Sequence, residues 1–121
     1  MVSTTSALIA IETNEGIVAT HIQHGGNILN TGRVLLANYL TEPEVLGLLT
    51  AGQIKFLRMN SVEKMSTEED WPISLKNKKD LLKKITEQEY MHVYLFDKIS
   101  QKWLYLVKKK NDFVELRSLL D

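Results

Sequence analysis

The chain contains no cysteine. That excludes disulfides and thiolate metal sites together, and it leans the protein towards a reducing compartment. An excess of either charge is also lacking: 15 basic residues face 15 acidic ones, for a formal net charge of zero. Proteins that hold duplex DNA or bulk RNA displace counterions with a basic excess, so no duplex nucleic-acid partner is expected. Long apolar runs are missing too. Nothing approaches the ~18 residues of a spanning helix. Met1-Val2-Ser3-Thr4-Thr5 puts no basic segment ahead of the first apolar stretch. Neither a membrane partner nor a secretory leader is expected, and the location that follows is cytoplasmic.

What is present suits one domain. Apolar residues make up 44% of the 121 and charged residues 25%, proportions that argue against disorder. A domain of this length buries roughly two thirds of its unfolded surface, enough for a core without staples. Residues 1–121 therefore read as a single domain with no repeat or low-complexity tract.

Along the chain, Ser6 to Glu12 and the β-branched run Ile17 to Gln23 flank Thr13-Asn14-Glu15-Gly16. Asn and Gly tolerate positive φ, so a β-hairpin is predicted. After His24-Gly25-Gly26-Asn27, the run Val34, Leu35, Leu36, Tyr39, Leu40 predicts a helix with Asn30 or Thr31 as its N-cap. Thr41-Glu42-Pro43-Glu44 is a capping box opening a second helix, with Gly52 as its stop. Gln53 to Met59 reads as a strand or extended link, and Glu68-Glu69-Asp70-Trp71-Pro72 as a loop. A third helix starts near Asn77. Tyr90 to Phe96 and Lys102 to Val107 read as strands, and Glu115 to Leu120 as a short helix. Hairpins with tight turns give an α+β fold: a mainly antiparallel sheet with two or three helices packed on one face.

No catalytic constellation is legible. There is no Gly-x-Ser-x-Gly elbow, and the carboxylates Glu68-Glu69-Asp70 suit a flexible acidic loop. His21 and His24 stand three apart, which on a strand points them to opposite faces, and His92 is remote, so no metal site is expected. The stretch Gly25 to Arg33 joins a strand to a helix start, where free N–H groups favour an anion. His24, Asn27, Asn30, Thr31 and Arg33 are thus candidate ligand contacts, with Asn reading a base or ribose and Arg33 gripping a phosphate. A capped turn with a surface arginine explains the same residues. Lys108-Lys109-Lys110 suits a solvated hairpin end, with Lys109 the candidate phosphate contact. Trp103 and Tyr105 share one strand face, and Tyr94 and Phe96 another. One set packs on helices, and the other is available to stack on a base or cover a subunit interface.

From Gly16 to about Leu57 the pattern resembles a family of small bacteriophage and prophage proteins. Their signature is an aromatic strand end, Trp-Asp-Gly-Tyr-Pro-Glu, two variable residues, Gly, and an amphipathic Leu-Leu helix. A Val-x-x-Leu helix and a Gly-x-Ile turn follow. Gly26, Asn30 and Gly32 follow the first element; Leu35, Leu36, Tyr39, Val45, Leu48, Leu49, Gly52, Gln53 and Ile54 follow the rest. The hairpin from Tyr94-Leu95-Phe96-Asp97 to Trp103 also looks like that family, while His24, Gly25 and Ile28 depart from its signature. Proteins of this build are similar to the first-described type of Thoeris anti-defence protein. The resemblance implies a sponge without enzymatic activity or cofactor, working inside a bacterial host. It would hold a cyclic ADP-ribose-type or cyclic oligonucleotide signal intact and assemble as a homo-oligomer with pockets at subunit contacts. In that picture Asn30 to Arg33 face a pyrophosphate, Trp103, Tyr94 or Tyr105 face adenine, and Lys108 or Lys109 adds charge. A protein–protein interaction module, such as a toxin-immunity or host-takeover factor, is the alternative.

Overall fold

The two apolar runs near the start pair as an antiparallel hairpin, β1 (Ala7–Thr13) and β2 (Gly16–His24). They belong to a computed structural model that describes residues 6–50, 52–59, 61–64, 72–88, 90–107, 110 and 112–120. Thr13 lies opposite Gly16, which leaves Asn14 and Glu15 as a two-residue turn. The Thr13 hydroxyl donates to the Gly16 carbonyl at 2.9 Å and accepts from the Glu15 N–H at 3.1 Å. Gly16 itself has φ +122°, a conformation open to few other residues.

A π turn over Ile28–Gly32 runs into α1 (Arg33–Asn38), and α2 (Glu42–Leu49) follows. The expected cap of α2 is in place. The Thr41 hydroxyl accepts from the Glu44 N–H at 3.4 Å and donates to the Glu44 carboxylate at 2.9 Å. The remaining elements are β3 (Ile54–Leu57), β4 (Val62–Lys64), β5 (Ile73–Leu75), α3 (Lys78–Gln88), β6 (His92–Phe96), β7 (Trp103–Val107), β8 (Asp112–Glu115) and a 3-10 turn over Leu116–Leu119. Asn77 caps α3, accepting the Asp80 N–H at 3.0 Å. The last turn replaces the expected helix from Glu115 to Leu120, and only Leu116 of it is buried.

The strands form one sheet in the order β4-β3-β2-β1-β6-β7-β8, with β5 also on β2. The pairings are antiparallel except β1 with β6 and β2 with β3, which are parallel. The sheet is therefore mixed and mainly antiparallel. The outer edge of β2 is shared: β5 takes Ile17 to Ala19 and β3 takes Ile22 and His24. At the junction Thr20 is fully buried, and its hydroxyl donates to the Gly52 carbonyl at 2.7 Å.

Helices do not share one face, contrary to the expectation from the sequence. Ala7, Ile9 and Ile11 of β1 and Tyr94 and Phe96 of β6 pack with Val34 and Leu35 of α1 and Val45, Leu48 and Leu49 of α2. Leu8, Ala10, Val93 and Leu95 pack instead with Leu81 and Ile85 of α3. Successive strand residues point to opposite faces, so α1 and α2 cover one side and α3 the other. The reason lies in β1. Ala7 to Ile11 are each 0% exposed, and a continuous apolar run at the centre of a sheet needs cover on both sides.

Candidate functional site

The face under α1 and α2 carries an aromatic row. Tyr94 lies opposite Tyr105 and Phe96 opposite Trp103 across β6 and β7. Each pair meets edge to face, with ring centroids 5.3 Å apart, a geometry that ring quadrupoles favour. One end of the row sits under the glycine loop and the other opens into a cleft.

At the glycine-loop end the residues expected to meet a ligand are mostly engaged within the protein. The Tyr94 hydroxyl donates to the Gly26 carbonyl, and its ring is fully buried. Burial pushes its pKa far above the ordinary phenol value, and neighbouring Tyr105 adds to the rise. Burial raises Tyr105 as well. Both phenols thus stay protonated. Tyr105 is half-buried, with its hydroxyl 2.7 Å from Nδ1 of His92.

Asn30 and Thr31 are not N-caps. The Asn30 side-chain amide donates to the carbonyls of Gly25 at 2.7 Å and Leu57 at 3.2 Å. The Thr31 hydroxyl, fully buried, donates to Gly25 at 2.8 Å. Asn27 opens the π turn instead. Its carbonyl accepts the N–H groups of Asn30 at 3.1 Å and Thr31 at 2.9 Å. The expected pyrophosphate cradle is thus a tie that folds the loop onto β3. Gly25 is needed for the same reason: at φ +69°, a Cβ there would stand 2.7 Å from the Phe56 ring and 2.9 Å from the Asn30 amide. Removing the tie is expected to cost stability. Asn30→Ala leaves the Leu57 carbonyl without this donor and should lose about 1–3 kcal/mol. Urea unfolding measures it, and a loss below ~0.5 kcal/mol would refute a structural role.

Of the other candidates at this end, His24 and Arg33 are exposed and Asn27 is half-buried. Lys109, with Lys108 and the tract Glu68-Glu69-Asp70-Trp71, lies outside the described residues. The histidines do not converge. His21 is on the α3 side, 3.2 Å from the Gln53 amide nitrogen and 6.2 Å from the Tyr90 ring, whereas His92 faces Tyr105 on the other side. Among the described residues no three His, Cys, Asp or Glu side chains come together as metal ligands.

The opposite end of the aromatic row is a cleft of about 130 Å³. Phe96 and Trp103 form its floor and Leu36 and Leu40 one wall, with Gln101, Lys102, Glu115 and Arg117 completing the lining. Trp103 is 2% exposed, and its indole N–H donates to the Tyr39 carbonyl at 2.7 Å. It is a floor to the cleft and a pillar of the core, not a free stacking plate. Tyr94 is more deeply buried still, so neither ring offers the open π-face that was expected. Gln101 has φ +56°, unusual for a side-chain-bearing residue, and its amide donates to the Lys98 carbonyl at 2.8 Å. Of the expected ligand contacts among the described residues, only Trp103 belongs to this cleft. The aromatic hairpin was visible in the sequence. The charged lining was not, because Lys102 meets Glu115 and Arg117 only through the β7–β8 pairing.

No family model, no curated protein and no solved structure matches this chain.

Proposed function

We propose that this chain is a non-catalytic binding protein that sequesters a nucleotide-derived signal, either a cyclic nucleotide or a cyclic ADP-ribose-type molecule. It would act as the phage anti-defence sponges that its pattern resembles. It would assemble as a homo-oligomer in the cytoplasm of a bacterial host. The cleft carries the reading. It sets an apolar lining of Leu36, Leu40, Phe96 and Trp103 beside two cations, Lys102 and Arg117, the combination a base and a phosphate need together. Its lining holds no thiol, hydroxyl or imidazole. Its carboxylate, Glu115, is shared with Lys102 at 3.6 Å, so retaining a ligand unchanged suits these groups better than cleaving it.

The test is mass spectrometry of small molecules released by heating the purified protein after expression beside a signalling TIR or cyclase enzyme. A stoichiometric, intact cyclic nucleotide is expected. Cleaved product would overturn the non-catalytic reading, and an empty protein would overturn nucleotide binding.

A second reading, a protein-interaction module, draws on Leu40, which is 51% exposed at the same cleft. Capture of a stoichiometric protein partner that Leu40→Ser abolishes, with no nucleotide co-purifying, would favour it.

A further inference from the structure

The cleft is small and its charges are unequal. Lys102 and Arg117 bring two positive charges, and Glu115 brings one negative charge. Glu115 lies 3.6 Å from Lys102. Among the described residues no carboxylate lies within ion-pair distance of Arg117. An entering anion therefore meets one uncommitted guanidinium and one ammonium already shared with a carboxylate. A second negative charge on the ligand would have to sit against Glu115 or displace it. The partly open space of about 130 Å³, whose apolar lining is Leu36, Leu40, Phe96 and Trp103, suits one ring system.

Resting on the nucleotide-binding reading, we infer that the cleft selects a ligand with one base and one negative charge, of the cyclic mononucleotide class. Its single-charged phosphodiester pairs with Arg117. Glu115 is the selectivity element, turning away pyrophosphate-bearing molecules that carry two charges. Both groups are solvent-accessible, which screens the effect, so a preference of about tenfold is expected rather than complete exclusion.

The experiment is isothermal titration calorimetry of the full chain with 3′,5′-cyclic AMP, cyclic ADP-ribose and uncharged adenosine. The wild type is compared with Glu115→Gln and Arg117→Gln, and circular dichroism checks that both variants fold. Cyclic AMP is expected to bind about tenfold more tightly than cyclic ADP-ribose. Glu115→Gln should narrow that gap to less than about threefold by improving the doubly charged ligand, and Arg117→Gln should bring cyclic AMP down to the level of adenosine. Equal or tighter binding of cyclic ADP-ribose to the wild type would overturn the charge selection and leave nucleotide binding standing. So would a gap that Glu115→Gln does not change. If none of the three binds, the nucleotide reading falls and this inference falls with it.

Discussion

Replacing Trp103 with alanine should destabilise the protein by about 3–5 kcal/mol, the range for losing a buried aromatic ring. Trp103 is among the largest fully buried side chains, sharing one core with Phe96, Val34, Leu35 and Leu116. Truncation removes its edge-to-face partner from Phe96 and takes the indole donor from the Tyr39 carbonyl at the end of α1. The void would open directly into the cleft that Trp103 now floors. Water would then enter beside apolar walls, and the tight seat for a ring would be lost. Trp103→Phe keeps most of the apolar volume and should cost clearly less. Urea unfolding of the two variants, extrapolated to zero denaturant, decides the matter. If Trp103→Ala costs under ~1 kcal/mol, the ring is not a pillar of the core.

Gly16→Ala should cost at least ~2 kcal/mol, more than a surface turn would suggest. Backbone strain at its φ of +122° alone carries a penalty of about 1–3 kcal/mol. The added Cβ would also stand 2.6 Å from the Leu75 carbonyl oxygen. That neighbour is backbone, so relief requires β5 to move away from β2. Ile17 pairs with Leu75 at this point, and hydrogen exchange at both amides should quicken with the loss of stability. Gly47→Ala is the contrasting control. It lies within α2 with open space where a Cβ would go, and it should gain about 0.5–1 kcal/mol. Similar effects at the two positions would mean that the contact with Leu75 has no bearing on Gly16.

Local signals are legible in the sequence. The Thr13–Gly16 turn, the Thr41 capping box and the start of α3 at Asn77 each depend on residues within three or four positions of one another, and each is where spacing alone places it. What stayed hidden depends on distance. Asn30 looks like a helix cap until β3 brings the Leu57 carbonyl to its amide. Tyr94 looks available for stacking until the glycine loop closes over its hydroxyl. The strands β4, β5 and β8 are three or four residues long, and each mixes polar with apolar residues, so none carries a periodic signal of its own. They become strands because a neighbour offers an edge. The cleft was legible only as far as its Phe96–Trp103 hairpin.

The central strand also sets an order of assembly. β1 meets β2 across a two-residue turn, but its other partner begins at His92, opposite Ala7. A ribosome adding roughly 5–20 residues each second leaves that edge bare for several seconds, and parallel pairing over such a separation is slow. Throughout that interval the chain presents a row of unpaired backbone groups on a run of Ala7, Leu8, Ile9, Ala10 and Ile11. Such an edge templates pairing with a second chain. Half-made chains that meet in that interval can pair through it, and the strand that ends up best hidden is the one longest at risk.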